Sequence, residues 1–225
     1  MICIVIPTLN CGAQLSSLLP QLRGADRIVV ADGGSIDDTV AVAVEQAVIA
    51  AGAKGRGQQL ALGARHALGA EWLFFIHADN QLPKDWMNSV QRHITRHPKA
   101  AGYFRYQANG KGFWPRFMEF WVGMRCQWWG LPYGDQGLLI SRGMYDAVGR
   151  YPAQSLFEDV AIVDSIKEKF GRLALRPLRG HMRVDISKYD HDGTWKRGQK
   201  NLKLLKAYRK GEDVAALAKT YRDSS

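Results

Sequence analysis

Three times within the first eighty residues, a short apolar run breaks off into polar turn chemistry. Ile2 to Ile6 leads into Pro7-Thr8-Leu9-Asn10, Ile28 to Ala31 into Asp32-Gly33-Gly34-Ser35, and Trp72 to Ile76 into His77-Ala78-Asp79-Asn80. Each run is too short for a helix and rich in β-branched or aromatic residues, so each reads as a buried strand. Between them, apolar positions recur at helical spacing over Gln14 to Leu22, Thr39 to Gln46 and Gln58 to Leu68, while Val48 to Ala51 reads as a further short strand. Strands alternating with helices predict βαβ units, hence an α/β fold with a mainly parallel central sheet flanked by helices. A later apolar run, Leu138 to Ile140, comes after the turn cluster Tyr133-Gly134-Asp135-Gln136-Gly137. A helix is expected from Phe157-Glu158-Asp159-Val160 to about Phe170.

Open α/β sheets bind ligands beyond the carboxyl ends of their strands, so Thr8, Asp32 and Asp79 are expected at one edge. A site for bare phosphate uses backbone N–H groups and lysine, whereas a carboxylate accepts from ribose hydroxyls or a base N–H. The acid-bearing turn after the second strand therefore points to a nucleoside. Neither G-x-G-x-x-G nor G-x-x-x-x-G-K-[ST] occurs, which removes the dinucleotide fingerprint and the Walker loop. Asp32 competes with a local role, stabilising an Asx turn, that Asp37 or Asp38 could fill equally well. We assign Asp32 to the ligand and Asp37 and Asp38 to capping.

Composition narrows the field. At 225 residues and 46% hydrophobic content, the chain can bury a full core in one domain or in two tightly joined halves. Cys3, Cys11 and Cys126 are odd in number and lack metal-type spacing, so neither a disulfide framework nor a zinc site is expected and a reducing compartment fits. The N-terminus opens as a strand without a basic leader, so no signal peptide is expected. The aromatic-rich stretch Phe113 to Leu131 carries Arg116, Glu119 and Arg125, which argues against a spanning helix. The helical spacing of Trp114, Phe117, Phe120, Trp121, Trp128 and Trp129 reads first as core packing, and second as the lining of a lipid or small-molecule acceptor pocket.

A formal net charge of +10 favours an anionic partner. Lys196, Arg197, Lys200, Lys203, Lys206, Arg209 and Lys210 crowd a C-terminal amphipathic helix with Leu202, Leu204, Leu205 and Tyr208. The favoured reading is a solvated face packed by its leucines; the alternative is an anionic membrane surface. No nucleic-acid-binding motif accompanies the charge, so nucleic acid is not expected as a partner.

Six stretches carry a family resemblance and occur in order: Ile4-Val5-Ile6-Pro7-Thr8-Leu9-Asn10, Ala31-Asp32-Gly33-Gly34-Ser35-Ile36-Asp37-Asp38-Thr39, Gly55-Arg56-Gly57-Gln58-Gln59, His77-Ala78-Asp79, Leu131-Pro132-Tyr133-Gly134-Asp135-Gln136-Gly137 and Glu158-Asp159. With them, the chain resembles the family 2 glycosyltransferases of the GT-A fold, and among these the compact bacterial group associated with radical-SAM and selenodomain proteins. The resemblance implies a single domain, with about 1–80 as the nucleotide-binding half and 81–225 as the acceptor half. It implies a nucleotide-sugar donor, UDP-linked in the first instance, held by Pro7, Thr8, Asn10, Asp32, Gly33, Arg56, Gln59, His77 and Asp79. Asp79 falls at the last position of an Asp-x-Asp metal element, so Mg²⁺ or Mn²⁺ is implied there, with His77 standing in place of the first aspartate. Tyr133, Gly134, Asp135, Gln136, Glu158 and Trp195 fall on the acceptor side, and Asp159 on the catalytic base. The chain departs from the pattern at Cys11, where Glu is common, and at Thr194-Trp195-Lys196-Arg197, which alone represents an arginine-rich approach to a tryptophan. His181 is a further candidate for a metal or phosphate contact, and His191 with Asp192 belongs to the same irregular stretch.

The expected activity is therefore inverting sugar transfer to a hydroxyl of a small-molecule or lipid acceptor, in the cytoplasm or peripherally on the inner face of the membrane. Two alternatives stand beside it. Nucleotidyl transfer on the same fold calls for a lysine-bearing, glycine-rich N-terminal loop, and Pro7 to Gln14 holds no lysine. A catalytically silent nucleotide-binding protein would bind the donor without turnover.

Overall fold

The structure, a computed structural model, describes residues 1–110, 112–185 and 194–222, the last of these with side chains over 200–221. The first half runs β1 (Ile2–Thr8), α1 (Gly12–Leu18), β2 (Arg27–Asp32), α2 (Thr39–Ala43), β3 (Val48–Ala51), α3 (Arg56–His66) and β4 (Trp72–Phe75). The second continues with β5 (Asn80–Gln81), α4 (Trp86–Arg96), β6 (Ala101–Asn109), α5 (Phe113–Trp129), β7 (Leu138–Ser141), α6 (Arg142–Ala147), α7 (Glu158–Phe170), β8 (Leu175–Asp185), α8 (Thr194–Arg209) and α9 (Val214–Arg222). The helix expected over Gln14 to Leu22 is split. α1 passes into a 3-10 turn at Leu19–Leu22, where Pro20 supplies no N–H to continue the α ladder.

The eight strands form one sheet in the order β3-β2-β1-β4-β7-β6-β8-β5. β1 to β4 are mutually parallel, as the βαβ pattern predicts. From there outward antiparallel pairs enter, so the sheet is mainly but not purely parallel: β7 runs antiparallel to β4 and to β6, β6 pairs parallel with β8, and β5 pairs antiparallel with β8. The strand-helix alternation that dictates parallel pairing stops at Ile76, and beyond it sequence order no longer fixes direction.

Both faces of the sheet are covered, which explains why the strands read as continuous apolar runs. Cys3, Val5, Leu73, Phe75 and Ile140 pack on one side with Val163 and Ile166 of α7, while Ile4, Ile6, Val30, Phe74 and Leu139 pack on the other with Trp86 and Val90 of α4. Helix α3 lies hard against β1: a Cβ on Gly63 would stand 2.4 Å from Val5 Cγ1, so only glycine lets the helix approach this closely. The irregular stretch expected around His181 is instead strand β8, bulged opposite Tyr103 to Arg105 and carrying Gly180 at φ +101°. At the C-terminus, Leu204 and Leu205 are buried. Leu204 clusters with Leu156, Leu217 and Ala218, whereas Leu205 joins the core beneath the sheet. The packed reading of the basic helix is the one the structure supports. Among the described residues, no helix is long and apolar enough to cross a membrane.

Candidate functional site

The parallel strands β1, β2 and β4 end side by side, and the loops that leave them build one wall of a cleft of about 560 Å³. Pro7, Thr8, Asn10, Arg56, Gln59, His77 and Asp79 all line it, so the structure brings these expected residues together. Asp32 and Gly33 lie beneath the wall. Asp32 is 3% exposed, and its carboxylate accepts from Thr8 Oγ1 at 3.0 Å, Gly34 N at 3.0 Å, Ser35 N at 2.8 Å and Ser35 Oγ. Burial works to raise its pKa, but these hydrogen bonds outweigh it and hold the carboxyl below its ordinary value.

A carboxylate offers about four acceptor sites, and all four are committed to the turn. Asp32 therefore organises the turn, the local role weighed beside its assignment to the ligand. Asp37 caps as expected, accepting from Gly12 N and from Thr39. Asp38 stands at the α2 N-cap without a side-chain bond. Removing Asp32 strands Thr8 and the Gly34 and Ser35 amides, so Asp32→Ala is expected to lower unfolding stability by about 1 to 3 kcal/mol even without nucleotide. Urea denaturation of the free protein checks this, and an unchanged midpoint would return Asp32 to a purely ligand-facing role.

Gln59 acts similarly. It is buried, and its Nε2 donates to the carbonyls of Thr8 at 2.6 Å and Ala31 at 2.9 Å, tying α3 across the ends of β1 and β2. A Cβ on Gly33 would come within 2.9 Å of that amide, which is why the turn needs glycine there. Asn10 adopts φ +50°, a left-handed conformation asparagine tolerates, and accepts from Ile36 N at 2.9 Å.

The N-terminus of α3 opens into the cleft without a side-chain cap, and Lys54 and Arg56 beside it make this end of the cleft positive. Arg56 donates through Nε to Glu158 Oε1. The pair is lopsided, with the Arg56 side chain 44% exposed and Glu158 fully buried. Burial pushes the Glu158 carboxyl up against the pull of Arg56, with Asp159 adding to the rise, and Glu158 Oε2 has no hydrogen-bond partner among the described residues. Gly57 makes the contact possible: a Cβ there would meet the Pro152 carbonyl at 2.3 Å and Glu158 Cβ at 3.2 Å. Phe157, immediately before the acids, sits at φ +59°, a strained conformation for an aromatic residue.

Next to the cleft, Gly134 of the Tyr133 to Gln136 turn and Glu158 and Asp159 at the start of α7 line a small adjoining cavity that shares His77 with it. Asp159 Oδ2 accepts from Gly134 N at 2.9 Å and Oδ1 from Val160 N at 2.8 Å, so the half-buried carboxylate is fixed while retaining free lone pairs. His77 packs over the same glycine, its Nε2 2.7 Å from where a Gly134 Cβ would stand. Burial, and then the charge of Arg56, push His77 down to about 4, so at neutral pH it is uncharged. Asp135 is pushed up by burial to about 6, against the pull of Arg125, and its Oδ1 is buried without a hydrogen bond among the described residues. Gln136 is a scaffold: it donates to Phe104 O at 3.0 Å and accepts from Arg125 and Tyr133 N. Arg125 lies 3.3 Å over the Tyr133 ring.

Asn80 is a site residue that the sequence did not single out. It is buried, accepts from His77 N at 2.8 Å and donates to Asp135 O at 3.0 Å, coupling the two loops. Its place directly after His77-Ala78-Asp79 was the available signal. Ser155, Leu156, Ala218 and Tyr221, which complete the cleft, offered none, since α9 reaches it only through tertiary packing. His181 lines a different cleft, together with Gln136. The side chain of Trp195, together with His191 and Asp192, lies outside the described residues.

Asp79 stands exposed on the cleft wall beside neutral His77. Among the described residues, no group of three His, Cys, Asp or Glu side chains could enclose a metal ion. The set fits a hard divalent cation that takes one carboxylate and completes its shell with phosphate oxygens and water.

Residues 3–156 match the family described as Glycosyl transferase family 2. No curated protein matches the sequence. Among solved structures, the chain is similar to glucosyl-3-phosphoglycerate synthase from Mycobacterium tuberculosis, in a complex with Mn²⁺, UDP and glucosyl-3-phosphoglycerate. The TM-score is 0.60 at 17% identity, over 82% of this chain and 70% of that one. It is also similar to S. aureus TarS (1–349) in complex with UDP, with a TM-score of 0.62 at 15% identity over 84% of this chain and 62% of that one. At such identities the likeness speaks for the fold.

Proposed function

The chain belongs to glycosyl transferase family 2 and is a glycosyltransferase of the GT-A fold. On that premise we propose that it moves a sugar from a nucleoside-diphosphate donor, UDP-linked in the first instance, to an acceptor hydroxyl with inversion at the anomeric carbon. The observation that carries this reading is the polarity of the cleft. The uncapped N-terminus of α3 with Lys54 and Arg56 lines the same cleft as the exposed carboxylate of Asp79, while Asp159 is held by Gly134 N in the small cavity that shares His77 with it.

The nucleoside rests against Pro7, Thr8 and Asn10, whose loop is shaped by Asp32 and Gln59. The diphosphate turns toward Arg56 and Lys54, whose charge, with the dipole of α3, stabilises the leaving group as it departs. Asp79 would hold Mg²⁺ or Mn²⁺, which when bound neutralises diphosphate charge. Neutral His77 donates a hydrogen bond or orients the Asp79 turn without adding charge. Asp159 takes the acceptor proton in line with displacement, and Gly134 and Val160 amides hold its oxygens in register. A second reading for the base rests on Asp135, whose pKa near 6 and unpartnered oxygen suit proton transfer. Residues 1–80 then supply the donor half, and the remainder the acceptor half.

Thermal shift with UDP, UDP sugars and other nucleotides, with and without Mn²⁺, followed by product analysis from a labelled donor, tests the proposal. Selective stabilisation by a uridine diphosphate is expected. Asp79→Asn is expected to abolish the Mn²⁺-dependent part of that shift, because an amide is a poorer ligand than a carboxylate. Full wild-type turnover after exhaustive chelation would transfer the phosphate charge to Arg56 and Lys54 alone.

A further inference from the structure

Helix α5 turns its aromatic residues outward. Pro115 and Cys126 are buried, and Met118 and Val122 pack on Tyr106, Ala108 and Val184, so the inward face is accounted for. Phe113, Trp114, Phe120, Trp121, Trp128 and Trp129 are 49–72% exposed, against the expectation of core packing. Ring contacts from Phe113 through Phe117 to Trp121 and Phe120 join the first part of this face into one continuous stripe. Soluble domains seldom leave a contiguous apolar surface of this kind uncovered.

Beside the stripe, a cleft of about 780 Å³ between α5 and strands β6 and β8 is lined by Arg105, Arg116, Arg172 and His181. Its lining contains one acid, Glu119, already paired with Arg116 at 2.6 Å. The face thus combines exposed indole and phenyl rings with a positive flank.

We propose that α5 seats this protein on an anionic bilayer interface, with its rings at the acyl boundary and the arginines among the headgroups. Tryptophan favours that boundary because its ring is apolar and its N–H is not. Charge selects the bilayer over a second copy of the chain, since a two-fold contact through this face would bring Arg105, Arg116 and Arg172 toward their own counterparts. The C-terminal basic helix is not the seat, because Leu204 and Leu205 are spent on internal packing. This inference does not depend on the transfer reaction.

The test is co-sedimentation of the full chain with phosphatidylcholine vesicles, with and without phosphatidylglycerol, alongside tryptophan emission. Partitioning stronger by about tenfold or more on the anionic vesicles, weakened by salt, and a blue shift on binding are expected. A double variant, Phe120→Ser with Trp121→Ser, removes two exposed rings and leaves the core intact. It is expected to lose about tenfold in partitioning while its thermal midpoint and nucleotide binding stay the same. Lys203→Glu with Lys206→Glu on α8 is expected to change binding little. Equal binding to both vesicle types overturns the proposal, as does anionic binding that survives the aromatic variants but not the lysine ones. A lipid-free dimer that the aromatic variants abolish would assign the stripe to a second copy instead.

Discussion

Asp159→Asn is expected to lower turnover by roughly 10² to 10⁴-fold while donor affinity stays near that of the native protein. An acceptor hydroxyl is a poor nucleophile until its proton is taken in the transition state, and asparagine keeps the shape of aspartate without the ability to take it. The amides of Gly134 and Val160 fix both oxygens of Asp159, and an asparagine can satisfy one of them through its carbonyl, so the local fold should survive. Single-turnover kinetics with calorimetric donor titration separate chemistry from binding. Asp135 is the contrasting position. If it is the base, Asp135→Asn carries the loss instead, and native activity should rise as pH passes upward through about 6, where Asp135 ionises. Near-native turnover for Asp159→Asn, with chemistry rate-limiting, would move the base to Asp135.

Arg56→Ala is expected to destabilise the protein more than Glu158→Gln, although Arg56 is the more exposed partner. Glu158 is fully buried, with one oxygen already unpartnered, and Arg56 supplies its counter-charge. Removing one member of a buried pair typically costs about 3 to 5 kcal/mol, because the other is left charged and desolvated. The 44% exposure of Arg56 lets water reach the gap, which places the expectation at about 3 kcal/mol. Glu158→Gln removes the buried charge itself, so it should cost less. Linked to pH, the raised pKa of Glu158 means its contribution favours folding below its unfolded value and is lost as pH rises through the folded one. The deficit of Arg56→Ala should accordingly shrink in acid. Chemical denaturation of both variants at neutral and acidic pH measures it, and equal losses at neutral pH would mean that solvent, not Arg56, sustains Glu158.

The parallel half of the fold was legible because strands covered on both faces write themselves as unbroken apolar runs, and Gly33, Asn10 and Asp79 mark where they end. Strands β6 and β8 were not. β8 carries Pro177, Gly180 and several arginines, and reads as a loop until its partner is known. At the site, residue types at strand ends gave the cleft, but not how each side chain is spent. That Asp32 is saturated depends on the path of Ser35. That Arg56 answers Glu158 depends on a contact across 102 positions. The aromatic face of α5 shows the same limit from the other side, since helical spacing states that a face exists and not whether anything covers it.

The pairing of β6 bears on how the chain is made. Ala101 lies opposite Leu175, and β6 meets β7 only at Gly102 and Leu139, so β6 emerges from the ribosome long before its main partner. At about 5 to 20 residues per second, the interval is roughly 4 to 15 s. Throughout it a strand bearing Tyr103, Phe104 and Tyr106, all buried in the finished protein, presents an open edge. Decoding speed between these two strands therefore sets how long the nascent chain is open to aggregation or to capture by a chaperone, even though the parallel N-terminal half of the sheet has by then been synthesised.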